Sequence, residues 1–158
     1  MTELSEKARA EIDGLIATCE SPREALLLAL EIVQRDCGYV DDTVAEHVAT
    51  RLRVNRADVD DVLSFYTVYD TAPVGRYVIR ICRTLPCALV GAESLAEHLS
   101  ATLGIAVGET TADGLFTLKE AECLGLCDVA PAMTVNEHVY GSLTPDRIDR
   151  IIADLRGV

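Results

Sequence analysis

The chain has 158 residues, 49% of them apolar and 4% aromatic, with no tryptophan. That length holds one ordinary domain, or a small helical piece plus a compact second one, with a core filled by Leu, Ile, Val and Ala. The net charge of −12, from 26 acidic and 14 basic residues, argues against nucleic acid and anionic membrane as partners, because both need a basic footprint and no basic run occurs.

The opening residues, Met1 to Glu6, are acidic and polar, unlike a secretory signal or an organelle presequence. The longest unbroken apolar run, Ala25 to Leu30, is far short of the roughly twenty residues that cross a bilayer. A soluble, cytosolic protein without direct membrane insertion is expected. In that compartment six cysteines read as ligands or core residues rather than as a disulfide framework.

Within residues 3–18, Leu4, Ala8, Ile12, Leu15 and Ile16 share one helical face. Ser21-Pro22-Arg23-Glu24 predicts a helix start, with Ser21 as N-cap and Pro22 in the first turn. The helix it opens, to about Asp36, is apolar nearly all round (Leu26, Leu27, Leu28, Leu30, Ile32, Val33) and so packs on several neighbours or lies against a partner protein. Gly38 ends it. Asp41 or Asp42 opens a third helix with Val44, Val48 and Leu52 on one stripe. Asn55 caps a fourth, with Val59, Val62, Leu63 and Tyr66 inward. Asp70 to Gly75, containing Pro73, reads as a linker. Residues 1–74 thus predict a four-helix unit carrying 15 acidic and 7 basic residues, a net charge of −8.

From residue 75 the periodicity changes. Tyr77, Ile79 and Ile81 alternate with Val78, Arg80 and Cys82, which is strand spacing. A helix from about Gly91 to Leu103 follows, then a short strand near Ala106–Thr110, a turn at Asp113-Gly114, and a strand from Leu115 to about Glu122. Ala132–Asn136 and His138–Tyr140 read as a hairpin. Thr144-Pro145 opens a last helix with Ile148, Ile151, Ile152 and Leu155 inward. Residues 75–158 are therefore read as a βαβ unit, a hairpin and a helix, with ligand loops at strand ends. The whole chain is classed α+β.

Two cysteine pairs sit at those strand ends. Cys82 and Cys87 form a C-x₄-C loop; after 35 intervening residues Cys123 and Cys127 form C-x₃-C. Four soft, anionic thiolates suit a two-iron iron–sulfur cluster. Gly125 lets backbone amides approach the sulfurs, and Pro86 and Pro131 stiffen the loops. Such a cluster carries a charge of about −2 when oxidised and about −3 when reduced. Glu122 and Asp128 beside the second pair disfavour the added electron, each by about 2 kcal/mol at ~8 Å and a dielectric of ~20, or about 90 mV. Arg83 acts in the opposite sense. A low potential is expected.

Three other readings of the four cysteines remain open on spacing alone. Structural zinc usually takes C-x₂-C pairs, which neither loop has. A redox dithiol usually uses C-x-x-C, also absent. The third is a set of inert core cysteines, although Pro- and Gly-containing strand ends make a poor core. Cys19 and Cys37 read as small buried hydrophobes. His47, His98 and His138 are scattered singly and read as structural. Neither G-x-G-x-x-G nor G-x-x-x-x-G-K-[ST] occurs, so nucleotide binding by this chain alone is unsupported.

Several stretches resemble the small, E-type [2Fe–2S] subunit of bacterial NADH:quinone oxidoreductase (respiratory complex I). Ala29 to Val40 is similar to the family's helix ending in Gly-Tyr-Val, and Leu63-Ser64-Phe65-Tyr66-Thr67 to its Thr-Phe-Tyr segment. Cys82 to Gly91 and Phe116 to Pro131 fit both cluster loops, and Leu143-Thr144-Pro145 fits the start of the last helix. The resemblance implies a thioredoxin-like [2Fe–2S] ferredoxin domain with Cys82, Cys87, Cys123 and Cys127 as ligands of one [2Fe–2S] cluster. It implies a helical unit that embraces a larger flavoprotein subunit binding NADH and FMN, together with other peripheral-arm subunits. The chain would then sit in the peripheral arm of a complex on the cytoplasmic face of the inner membrane. It would act as part of an oxidoreductase, with no catalytic site of its own. Arg83 stands where the family often has a small or polar residue, and Cys37 where an apolar one is usual. The same subunit type occurs in NAD-reducing hydrogenases and NAD-dependent formate dehydrogenases; a zinc-stabilised assembly adapter and a thiol–disulfide enzyme are the alternatives of other classes.

Overall fold

Ser5 fixes where the chain first becomes regular. In the computed structural model, which describes residues 4–157, its hydroxyl accepts the Ala8 amide at 3.1 Å and opens α1 (Glu6–Thr18). The same residue donates its amide and hydroxyl to the Asp36 carboxylate, at 2.8 and 2.7 Å. Asp36 lies near the end of α2 (Leu26–Cys37), so the two helices are pinned to each other. Two compact units follow from the chain's contacts, Met1–Pro73 and Val74–Val158.

In the first unit the α-helix expected to start at Ser21 begins five residues later. Pro22–Ala25 form a single 3₁₀ turn, and Ser21 donates its hydroxyl to Glu24 Oε1 at 3.0 Å instead of capping an amide. Most of the apolar surface of α2 is spent within this unit: Leu26, Ala29, Leu30 and Val33 are buried in its core with Ile12, Val44, Val48 and Leu52. Only Leu27 and Leu28 of its leucines remain exposed, so the helix packs on several neighbours, as its nearly all-round apolar pattern predicts. Asp41 accepts the Val44 amide at 2.8 Å to start α3 (Asp42–Leu52). Asn55 and Asp58 form a reciprocal capping box at α4 (Arg56–Phe65).

Val59 is fully buried and Val62 and Leu63 pack partly against the same core. Tyr66, expected inward, is exposed; its ring meets Phe65 and Tyr69 edge-on at centroid distances of 5.0 and 6.4 Å. Asp70 is no loose linker residue. It is buried, its carbonyl accepts the Val40 amide at 2.7 Å, and its own amide donates to the Gln34 side chain.

The second unit is a four-stranded sheet of β1 (Tyr77–Cys82), β2 (Phe116–Ala121), β3 (Met133–Val135) and β4 (His138–Tyr140), in the order β2-β1-β3-β4. β1 and β2 run parallel, whereas β3 is antiparallel to both β1 and β4. Both faces of central β1 are covered, since Val78, Arg80 and Cys82 are buried as well as Ile79 and Ile81. The crossover to β2 holds two helices where sequence periodicity predicts one, α5 (Leu85–Leu89) and α6 (Ala92–Leu103). The strand predicted near Ala106–Thr110 is only an isolated bridge from Thr110 to Thr117; Gly108, at φ +94°, breaks the extended run.

Thr144 accepts the Arg147 amide to open α7 (Pro145–Arg156). Leu95 and Leu99 of α6 and Ile148 and Ile152 of α7 pack with Ile79, Ile81, Phe116 and Leu118 in one core. Helices and a mixed sheet make the chain α+β. Among the described residues no helix is long and apolar enough to cross a membrane.

Candidate metal centre

Parallel pairing brings the two cysteine loops together. β1 and β2 are in register with Cys82 opposite Ala121, so both strands end at the same edge of the sheet. Cys82 is the last residue of β1, and Cys123 comes two residues after β2. The Arg83 amide donates to the Ala121 carbonyl at 3.0 Å, and the Cys82 amide to the Ala132 carbonyl at 3.0 Å. Three chain segments are thereby laced at one sheet edge, where parallel sheets keep their ligand sites.

Each loop presents its sulfurs differently. Cys87 lies inside α5, and both Cys82 and Cys87 are buried, 2% and 1% exposed, beside Ala92, Ala132, Leu124, Leu126 and Ala130. Cys123 and Cys127 are exposed. Gly125 adopts φ +74°, which turns its amide toward the Cys123 Sγ at 3.4 Å. Cys127 opens a 3₁₀ turn, Cys127–Val129, and its Sγ stands 3.9 Å from that of Cys123. Two thiolates sharing one tetrahedral metal at ~2.3 Å stand about 3.8 Å apart, so this pair is already spaced for a common ion.

Charge on the sulfurs is unevenly distributed. Burial pushes the Cys82 thiol up, but hydrogen bonds from the Thr84 hydroxyl, the Thr84 and Leu124 amides and Cys87 outweigh it and hold the group below the ordinary thiol value. Burial and the hydrogen bond given to Cys82 raise Cys87. Cys127 is raised by its hydrogen bond to Cys123 and by the negative charges around it, among them Cys82 and Asp128. Across the loops, the negative charge of Cys127 helps raise Cys87, and that of Cys82 helps raise Cys127.

Among the described residues no three Cys, His, Asp or Glu side chains gather around a point as one metal ion would need. The sulfurs come as two pairs, Cys82 with Cys87 and Cys123 with Cys127. Anionic thiolates in pairs, with N–H and O–H donors aimed at them, fit a two-iron iron–sulfur cluster, which Cys82, Cys87, Cys123 and Cys127 would hold.

Two features of the site escaped sequence reasoning. Arg83 and Glu122, counted there as separate opposing charges, are ion-paired, with Glu120 3.7 Å from the same guanidinium. Thr84 Oγ1 lies 3.2 Å from Cys82 Sγ. A threonine two residues past a candidate ligand cysteine is a signal that could have been read. Of the other candidates, Cys19 and Cys37 are half-buried against the first unit's core, and His98 pairs with Asp149 at 2.7 Å. Burial, then the nearby Asp36 and Asp41, raise the Cys37 thiol, as suits a packing residue. A groove of about 620 Å³ along α6 is lined by Glu93, Glu97, Glu109 and Glu120, and none of the four cysteines lines it.

The model of the thioredoxin-like [2Fe–2S] ferredoxin family matches residues 12–156. The chain belongs to this family. It is 41% identical over 148 residues to the second E-type subunit of the Rhizobium meliloti NADH-quinone oxidoreductase, covering 94% of this chain and 88% of that one. Identity to the E-type subunit of Pseudomonas aeruginosa is 38% over 149 residues, covering 94% of this chain and 90% of the relative. Subunit 2 of the Thermus thermophilus NADH-quinone oxidoreductase is 39% identical over 138 residues, covering 87% and 76%. Among solved structures, the air-oxidised NAD⁺-reducing [NiFe]-hydrogenase matches with a TM-score of 0.71 and 28% identity over 84% of this chain. This ferredoxin-family chain spans 23% of that hydrogenase chain.

Proposed function

We propose that this chain is the small [2Fe–2S] subunit of an NADH:quinone oxidoreductase, exchanging single electrons with the FMN of a flavoprotein subunit that binds NADH. The observation that carries the reading is the Cys82–Ala121 register, which delivers both cysteine loops to one sheet edge. NADH-quinone oxidoreductase relatives that match this chain nearly end to end support it.

In this reading Cys82, Cys87, Cys123 and Cys127 hold the cluster. When bound, it supplies a one-electron couple shared by two irons and two sulfides. The chain's own residues set the surroundings. Cys82 and Cys87 keep water from one side of the site by their burial, and the Gly125 amide and Thr84 hydroxyl face the negative sulfurs. No side chain is assigned a catalytic role; the chain acts as part of an oxidoreductase complex.

The flavoprotein contact is assigned to apolar residues that the chain leaves open. Leu85 and Leu89, on the one-turn helix that carries Cys87, are 70% and 77% exposed. In the first unit Leu27, Leu28, Phe65, Tyr66 and Val68 are exposed as well. Surfaces of this kind are what a permanent subunit contact buries. The four-helix arrangement of residues 1–74 is the partner-binding part, residues 75–158 carry the cluster, and the complex lies on the cytoplasmic face of the inner membrane with its other peripheral-arm subunits.

The protein purified without oxygen should be red-brown, contain two irons and two sulfides per chain, and give a spin-half EPR signal on reduction. Serine at Cys82, Cys87, Cys123 or Cys127 should abolish that signal, whereas serine at Cys19 should not. A colourless protein saturated with zinc would instead support an assembly adapter. The hydrogenase likeness favours one second reading, the equivalent subunit of an NAD-reducing hydrogenase. Co-purification separates the two: quinone-reductase subunits support the first, nickel-containing ones the second.

A further inference from the structure

Thr84 occupies a helix N-cap position without performing an N-cap's task. It immediately precedes α5, yet its hydroxyl accepts no backbone amide of that helix. An N-cap hydroxyl ordinarily takes the amide two or three residues on. Here the residue two on is proline (Pro86), which has no amide to give. The residue three on is Cys87, and its amide is not taken by the hydroxyl either. The Thr84 hydroxyl turns back instead and stands 3.2 Å from Cys82 Sγ. A cysteine sulfur bound to iron carries no proton, so in that state the hydroxyl is the only possible donor of the contact.

The geometry points to Thr84 as a positioning residue that tunes the electron affinity of the centre, through a hydrogen bond from its hydroxyl to the Cys82 sulfur. Resting on the four-cysteine ligand set proposed above, the inference adds a residue that is not itself a ligand. An added electron makes the thiolate sulfurs more negative, and a donor aimed at one of them stabilises the reduced state more than the oxidised one. Thr84 is half-buried and Cys82 fully buried, so water does not freely replace the lost donor. Amides of Thr84 and Leu124 also face this sulfur, but they belong to the backbone and survive any change of side chain.

The experiment compares wild type, Thr84→Val, Thr84→Ala and Thr84→Ser by EPR-monitored redox titration of the reduced signal. Valine keeps the shape and removes the hydroxyl; serine keeps the hydroxyl and removes the methyl group. Valine and alanine should lower the equilibrium constant for reduction about threefold, a fall of about 30 mV in midpoint, with serine close to wild type. Valine and alanine variants that bind iron and titrate like wild type would overturn the assignment. So would a serine variant shifted as far as they are. If neither valine nor alanine retains iron while serine does, the hydroxyl serves assembly and the tuning role is wrong. A wild-type protein without iron and sulfide would defeat the ligand reading itself, an outcome distinct from all of these.

Discussion

The Arg83 guanidinium binds the Glu122 carboxylate, its Nε donating to Oε1 at 3.0 Å. Arg83 directly follows Cys82 and Glu122 directly precedes Cys123, so the pair bridges the two cysteine loops. Both side chains are more than half exposed, and such surface pairs add little to stability. Their charges matter more to the site. Paired, they nearly cancel at the cluster, which removes both the raising effect expected of Arg83 and part of the lowering effect expected of Glu122.

Removing one partner at a time should therefore move the reduction potential in opposite directions. Arg83→Gln leaves Glu122 and Glu120 without their cation and should lower the midpoint, whereas Glu122→Gln should raise it. The shifts should be on the order of 20 mV each at a water-like dielectric and ~8 Å, and shrink with added salt. The double variant should return close to wild type. Redox titration at two salt concentrations checks all three; equal shifts of one sign would mean the pair acts through loop geometry.

Asp36 links the first helix of the chain to the second, and it should make the first unit acid-sensitive. The Ser5 amide, then the Ser5 hydroxyl, hold its carboxyl below its ordinary value of 3.8. Stabilisation from a depressed carboxyl is fully present above the unfolded-state value and is lost as pH falls through the lower folded-state value. The advantage of wild type over Asp36→Asn should thus be constant from neutral pH to about pH 5 and fade below 3.8. Because Asp36 is exposed, the difference should stay under about 1 kcal/mol. Urea titrations at a series of pH values measure it.

How far the sequence could be read depended on the length of each signal. Asp41, Asn55 and Thr144 announce helices because a cap and a following apolar stripe agree. α5 went unseen because its five residues, with Pro86 among them, are too few to show a helical period. Ser21-Pro22 carried a sound start signal, but one 3₁₀ turn intervenes before the α-helix at Leu26. The run around Val107 has strand-like residues, and the positive φ of Gly108 overrides them. At the site, the cysteines and their loops are legible as residue types and spacing. The Thr84 contact and the Arg83–Glu122 pair depend on side-chain direction, which spacing does not encode.

Asn55 should be worth more than an average surface polar residue. Its side chain accepts the Ala57 amide at 3.2 Å, while Asp58 reaches back to the Asn55 amide at 3.3 Å. Asn55→Ala removes one half of this reciprocal cap and should cost about 1 kcal/mol of the first unit's stability. Asn55→Asp, which keeps the acceptor, should cost much less. Chemical denaturation of both variants, followed by circular dichroism, is the check; equal losses would show that the cap is not what α4 depends on.

Gly141 has the least room for change of any glycine beside the cysteine loops. A Cβ there would stand 2.5 Å from Val129 Cγ2, 2.6 Å from its Cβ and 2.9 Å from its carbonyl oxygen. Val129 ends the 3₁₀ turn that Cys127 begins, and its carbonyl accepts the Ser142 amide at 2.6 Å. The Leu143 amide donates to the Pro131 carbonyl at 3.1 Å, so the segment that follows Gly141 is sewn to the second cysteine loop by two bonds next to the crowded point. Neither backbone can retreat without breaking one of these bonds. Gly141→Ala should therefore destabilise the second unit by about 1–3 kcal/mol through overpacking. It should also push Val129, and with it Cys127, away from its place beside Cys123. The expected result is a lower urea midpoint together with faster loss of iron to a chelator. Gly157→Ala, at a glycine with no atom within 4 Å of an added Cβ, serves as the control. It should lose some stability from its positive φ but should hold iron as wild type does. If Gly141→Ala released iron no faster than this control, the crowding at Val129 would not reach the sulfurs.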